Sequence, residues 1–437
     1  MKKPTLPRLG EALRTLRKKH QARHSPTGFD IALADRIALL DGARWDHAAA
    51  AGGFHLRRDY LALLERHGPE QITPCYALVA RGDEPVAAVA AQWLDFHGDR
   101  LGRSAPPAAS VASAANAAAP ASAAKKDGKE RVPLGKRLLQ PLARKALDRV
   151  RQRVLVCGNL LSWGNHGVSF APGVDPAEAW PAVGEALYRL RRAAKLEGQA
   201  DFVVVKDVTA AEAPHFAPME LLGYRRVETE PDMVLDLPPA WRSFDDYLGA
   251  LGSKYRKAGK RIRDDVASTG FTVDTLPPQH VPPHAERMQQ LYEQVHGNAP
   301  IRLATLQAPF WPAFAACAGE AMRTTVVRRG EQLVGFVNTL RDGDTAIGYQ
   351  IGFDRSAAAE APIYLRLLQA TIENALQFGC RRLSLGRTAL EPKARLGAQP
   401  QPIELWLRHR IPALNMLVKG LVGHVHHDEA PDRNPFG

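Results

Sequence analysis

The stretch RTTVVRRGEQLVGFVNTLRDGDTAIGYQIGFDRSAAAEAPIYLRLLQATIENALQFGCRRLSLGR, Arg323 to Arg387, decides the fold. Two apolar runs flank the turn-forming Arg329, Gly330 and Glu331, the pattern of an antiparallel hairpin. TAIGYQIGF, Thr345 to Phe353, predicts a third strand. Pro362 stands at a first helical position, and Tyr364, Leu367, Leu368, Thr371, Ile372, Ala375 and Leu376 recur at helical spacing up to the stop signal Gly379. RRLSLGR closes the unit as a strand with Arg387 at its carboxyl end. A helical crossover makes the strands it joins parallel, and ligands in open sheets gather outside the carboxyl ends of strands where the topology switches. A ligand is therefore expected at the segments Gln350 to Ser356 and Gly386 to Lys393.

The same pattern occurs earlier in the chain. Arg81-Gly82-Asp83-Glu84-Pro85-Val86 aligns turn with turn and apolar with apolar on Arg329-Gly330-Glu331-Gln332-Leu333-Val334, an offset of about 248 residues. Asp175, Pro176 and Glu178 open a helix, and DFVVVKD follows as a strand that falls on RRLSLGRT, pairing Lys206 with Arg387 at an offset of about 181. The two offsets differ by about the length of what interrupts the first copy. That interruption is an Ala/Ser/Pro-rich stretch, too poor in large side chains to offset ordering, followed by a pattern of Leu alternating with Lys and Arg typical of a basic amphipathic helix. Deleting Gly102 to Gly128 is expected to leave thermal unfolding nearly unchanged.

Composition sets the remaining bounds. With 437 residues, 45% of them hydrophobic, the chain is long enough for two cores. Cys75, Cys157, Cys317 and Cys380 are far apart, form no CxxC pair and lie in apolar surroundings, which reads as buried thiols of a reducing compartment. No apolar run approaches bilayer length and the start lacks a signal-peptide pattern, so cytoplasmic residence is expected, with the inner membrane face as a peripheral location. The net charge of +12 is concentrated in an N-terminal arm, in the basic helix and in the run Lys254, Arg256, Lys257, Lys260, Arg261 and Arg263. Such runs suit an acidic carrier, an anionic lipid surface or a tRNA end; DNA is not expected. His424, His426 and His427 lie in the tail, and no metal site is read there.

A meander of three strands, a crossover helix and a parallel strand resembles the core of the GNAT-type acyltransferases. MELLGYRRVETEPDMVLDL resembles the helix, Leu-Gly-Tyr and final strands that close such domains. Two copies joined by a helical segment resemble the FemAB-like aminoacyltransferases and the BioF2-like acetyltransferase group, whose Ser and Arg-Lys run between copies is matched by Ser253, Arg256 and Lys257. The Gln/Arg-x-x-Gly-x-Gly/Ala loop that holds a cofactor pyrophosphate is missing from both copies, where APGVDPAEAW and FDRSAAAEAP stand instead.

The expected fold is α/β (α+β), two tandem GNAT-like domains with mixed sheets joined by a basic helical segment. The divisions are a basic arm 1–27, domain one 28–240 with an insertion 103–130 and a basic helix 131–153, an inter-domain helix 241–268, domain two 269–410 and a C-terminal helix and tail 411–437. The resemblance implies an N-acyltransferase taking an acyl group from acyl-CoA or acetyl-CoA to a small-molecule or envelope-precursor amine, without a metal. Aminoacyl-tRNA as donor and a non-catalytic module binding anionic lipid or glycan precursors are the alternatives. His166, in the tight loop Trp163 to Gly167, is the candidate base, and Tyr349 and Tyr364, flanking the second junction, are the candidate acids. Arg355, Ser356, Arg387 and Lys393 are candidates for the cofactor, and Asn165, Lys206, Lys254, Arg256 and Lys257 for the substrate.

Overall fold

The computed structural model describes residues 25–97, 151–196, 200–297, 303–416 and 431–436, with isolated positions at 14, 17, 18 and 21. The Ala-rich insertion, nearly all of the basic arm and basic helix, and the histidine tail lie outside the described residues. The first half contributes β1 (Asp30–Ala34), β2 (Ile72–Arg81), β3 (Glu84–His97), β4 (Arg151–Cys157), β5 (Val168–Phe170), β6 (Ala200–Thr209), β7 (Arg225–Glu228) and β8 (Asp232–Asp236). The second contributes β9 (Thr272–Leu276), β10 (Met322–Arg329), β11 (Gln332–Asp342), β12 (Thr345–Phe353), β13 (Arg382–Ser384), β14 (Gln399–Gln401) and β15 (Ile403–His409).

Two mixed sheets result. One runs β1-β2-β3-β4-β6-β15-β7, with β5 beside β3, and the other runs β9-β10-β11-β12-β13-β8-β14. The ladders are antiparallel except at β4–β6 and β12–β13, the two crossover junctions. Strand for strand the orders are the same, and in each the place next to the last strand is filled from the other half of the chain. The sequence assigns β8 to the close of the first copy, whereas it pairs with β13 and β14 in the second sheet. In return β15 pairs with β6 and β7 in the first. The reason is physical: an apolar strand such as Met233, Val234 and Leu235 specifies that it will be buried, not which sheet receives it.

Each sheet packs one face against its crossover helix. Pro176–Ala193, capped by the Asp175 carboxylate and opened by Pro176 as expected, covers the first. Ile363–Gln377, whose N-cap is Pro362 itself, covers the second. The opposite faces meet in one shared aromatic core, where Trp45, Phe54 and Tyr60 of the first half pack with Phe310, Phe314, Phe336 and Tyr349 of the second. Burying each such side chain contributes about 1.5–3 kcal/mol, so the two copies share a core rather than merely touch.

Two further elements bear on the site. The segment FDRSAAAEAP, read from sequence as a loop, holds a short helix, Arg355–Glu360, because the Asp354 carboxylate accepts the Ser356 and Ala357 amides. The basic segment between the copies is two helices, Phe244–Ala250 and Ser253–Ser268, separated at Leu251 and Gly252. The second of these lies on the second copy, where the Gly259 carbonyl accepts from Gln369 at 2.9 Å. Among the described residues, no helix is long and apolar enough to cross a membrane.

Candidate active site between the two copies

The crossover junctions face each other. Lys206 and Arg387, the positions that the repeat makes equivalent, grip the same carboxylate: Lys206 Nζ donates to Asp207 Oδ2 at 2.5 Å and Arg387 Nη1 donates to Asp207 Oδ1 at 3.1 Å. Asp207 is fully buried and sits at φ 56°, a backbone conformation uncommon for a residue with a side chain. Lys206 also donates to the Ser162 carbonyl at 2.9 Å, and Arg387 to Thr229 and Glu230. Both cations are therefore engaged by the chain's own acceptors rather than presented to an anionic ligand.

The junctions differ in pairing. In the first copy β4 and β6 pair from Arg153 to Cys157 against Ala200 to Val205. In the second, β12 and β13 pair only at Thr345–Ile347 with Arg382–Ser384, after which β12 continues to Phe353 along β11 alone. The second junction thus opens into a free strand edge at its carboxyl end.

Beside that opening lies a buried polar cluster. The ring of His166, half-buried, stacks on that of His55, fully buried, with centroids 4.0 Å apart and planes 30° apart. His55 Nδ1 lies 3.5 Å from Asp342 Oδ2, too poorly aligned for a hydrogen bond, while Asp342 Oδ1 accepts the Phe54 amide at 2.8 Å. His166 Nε2 lies 2.9 Å from the Trp163 carbonyl. A carbonyl only accepts, so Nε2 carries the proton and Nδ1 is left with a lone pair. The His55 ring is 5.8 Å from that of Tyr349, whose hydroxyl is 3.0 Å from that of Tyr60. Asn159 Nδ2 donates to the Tyr60 hydroxyl at 2.7 Å.

Burial holds both histidines below their ordinary value, assisted for His166 by the neighbouring His55 and opposed for His55 by Asp342. Both imidazoles are accordingly neutral at pH 7. Burial raises Tyr349 well above the ordinary phenol value. His55, His166 and Asp342 bring one donor atom each within 4.8 Å of one another, a spacing that suits a divalent cation. The two imidazoles are tilted by 30° with centroids 4.0 Å apart, and of the His166 ring only Nδ1 keeps a lone pair.

The candidate residues divide between this cluster and elsewhere. His166 and Tyr349 come together, linked through His55. Tyr364 lies behind the second sheet, packed on Phe353 at 5.8 Å. Asn165 donates to Glu212 at 2.7 Å. Lys393 is buried, donates to the Gly386 carbonyl at 3.0 Å, and is lowered by burial to about 7 with Asp232 opposing. Arg355 and Ser356 are exposed on the turn that Asp354 caps, and the Ser356 hydroxyl donates to that carboxylate at 2.5 Å. On the basic helix Lys254, Arg256 and Lys257 are all exposed, and Arg256 also donates to the Leu251 carbonyl at 2.9 Å, at the end of the preceding helix.

Sequence reasoning missed His55, Asp342, Tyr60 and Asn159. Nothing in their spacing connects them: His55 lies in the apolar GGFHL, and Asp342 in RDGD reads as a turn residue. The one available signal was a histidine set among apolar residues ahead of a helix, which more often marks core.

Residues 253–394 match the acetyltransferase (GNAT) domain family, about a third of the chain and the part containing the second junction. No curated protein matches the chain. Among solved structures, a tandem GNAT protein from the clavulanic acid biosynthesis pathway is 12% identical over 88% of this chain and 99% of its own, with a TM-score of 0.47. FemX is 10% identical over 96% and 99%, with a TM-score of 0.41. A GCN5-related N-acetyltransferase from Sphaerobacter thermophilus is 14% identical over 89% and 97%, with a TM-score of 0.38. Likeness of this depth says nothing of donor or acceptor.

Proposed function

We propose that the chain is an acyltransferase of tandem GNAT-like architecture that moves an acyl group from a thioester donor, acyl-CoA or acetyl-CoA, to an amine. The observation that carries this reading is the opening of β12 from β13 after Ile347 and Ser384, inside the segment that matches the acetyltransferase domain. A free strand edge offers backbone donors and acceptors to an extended acyl arm, at the place where open sheets take ligands. In the reaction the neutral amine attacks the thioester carbonyl, the C–N bond forms, the C–S bond breaks and the thiolate leaves. His166 Nδ1 takes the amine proton, and the Tyr60–Tyr349 hydroxyl pair is the proton source for the thiolate. The larger part of the acceleration comes from holding the reactants together.

A second donor class has its own support. In both copies the turn ahead of the crossover helix is capped by a carboxylate, Asp175 on Ala177 and Asp354 on Ser356 and Ala357, which places negative charge where a pyrophosphate would sit. Together with the exposed Lys254 and Lys257, this favours a donor anchored elsewhere, such as the aminoacyl-tRNA of FemAB-like enzymes. The deciding experiment offers the protein acetyl-CoA, longer acyl-CoAs and aminoacyl-tRNA with a panel of amines. Thiol release with acyl-CoA supports the first reading and deacylation of charged tRNA the second. No amine-dependent transfer from any donor overturns both. We further propose a cytoplasmic location.

A further inference from the structure

The mouth of the second junction is filled by a side chain of the first copy. Trp163 bridges the two diverging edges: its Nε1 donates to Ser384 Oγ at 2.5 Å, and its ring centroid lies 6.5 Å from that of Tyr349 on β12. A Cβ at Gly386 would lie 3.0 Å from the indole, so glycine at that position is what allows the ring to lie so close. Ser384 in turn donates to Asp232 at 2.6 Å, which ties the indole to the exchanged strand β8. Cavities of about 480 and 500 Å³ open elsewhere, one beside Lys260, Arg263 and Arg366 and one beside Ile37, Arg57 and Arg58, and neither is lined by a junction residue. The strands part in the backbone, and the Trp163 side chain lies across the place where they part.

The loop that carries Trp163 is built to be separable. Gly158 at φ 130° and Gly164 at φ 102° lie on either side of Trp163, in conformations that other residues rarely adopt. Between them, polar ties hold the loop, Lys206 to the Ser162 carbonyl and the Gly164 amide to Asp207 at 3.1 Å. Trp163 is only half-buried, unlike the aromatic residues of the shared core it adjoins.

We propose that Trp163 is an autoinhibitory wedge, holding the second junction shut until a thioester donor displaces the indole from Ser384 and Gly386. The inference rests on the reading of this junction as the donor slot. It implies an order of events, because the Trp163 carbonyl orients His166: the base moves with the wedge, and is set for the amine only after the donor is seated. A site that must first open binds with an affinity lowered by its open fraction, so removing the wedge tightens donor binding.

The test is calorimetric titration with acetyl-CoA of the wild type, Trp163→Ala, Trp163→Phe and Ser384→Ala, with unfolding curves recorded for each. Trp163→Ala is expected to bind at least threefold more tightly than wild type, with Trp163→Phe and Ser384→Ala between them. Equal or weaker binding by the folded variants, or binding by none, overturns the wedge. Should Trp163→Ala fail to fold, indole fluorescence decides: the wild-type signal minus that of Trp163→Phe must shift to the red on adding acetyl-CoA, and an unchanged difference overturns the proposal. A wild type that transfers no acyl group while Trp163→Ala binds tighter removes the acyltransferase reading and keeps the wedge. Turnover with unaltered affinities does the reverse.

Discussion

The two crossover junctions are equivalent by repeat and opposite in state. In the first, the Lys206 stem lies where a Cβ on Gly158 would have to be, so the chain seals the mouth with its own next residue. In the second, the strands part after three paired residues and the seal is Trp163, a side chain from elsewhere. The first seal is a buried lysine held by Asp207 and the Ser162 carbonyl, while the second is a half-buried indole on a loop. One junction thus supplies Trp163, His166 and Asp207, and the other is the one proposed to take the donor.

The strongest way to break this comparison is to separate the copies. Because β8 and β15 are exchanged and the aromatic core is shared, residues 1–240 and 241–437 expressed apart should each lack a cooperative thermal transition, whereas the whole chain should melt in one. Two independent transitions in the intact protein would show that the copies are separate folding units. Next in size is the base. His166→Ala should lower kcat by about a hundredfold to ten-thousandfold with a similar Tm. Since burial lowers the pKa of His166 and the neutral ring is the active form, the acid limb of the wild-type rate profile should lie below 6.5, activity falling as pH drops through it. An acid limb above 6.5 would assign the proton to another group.

Two smaller effects sharpen the contrast. Lys206→Met leaves the buried Asp207 with one cation instead of two and should cost about 3–5 kcal/mol in denaturant unfolding. Arg387→Met, at the partly exposed equivalent position, should cost clearly less, and the reverse ranking would contradict the account of the first junction as sealed by a buried lysine. Smallest is Asp354→Ala, which removes a helix cap worth about 1 kcal/mol. Hydrogen bonds from Ser356 lower Asp354 from 3.8 to about 2. Its contribution is therefore complete above the unfolded value of 3.8 and is lost as pH falls toward about 2, a loss that should be absent from the variant. If Asp354→Ala also tightens acetyl-CoA binding, the turn can take a pyrophosphate once its own carboxylate is gone.

Much of this protein was legible in its sequence because it is set by local periodicity. The hairpin around Gly330, the strand Thr345–Phe353, the cap at Asp175 and the helix start within one residue of Pro362 all follow from residues a few positions apart, and the duplication from their recurrence. His166 is a candidate from its place in the tight loop Trp163 to Gly167, and Tyr349 from its place beside the second junction, both of them local signals. What the sequence could not determine is where one copy meets the other. The exchange of β8 and β15, the joining of His55, His166 and Asp342, and the seating of Trp163 against Gly386 depend on contacts between segments far apart in the chain. Periodicity reports which face of an element is buried, and only the tertiary structure decides what it is buried against.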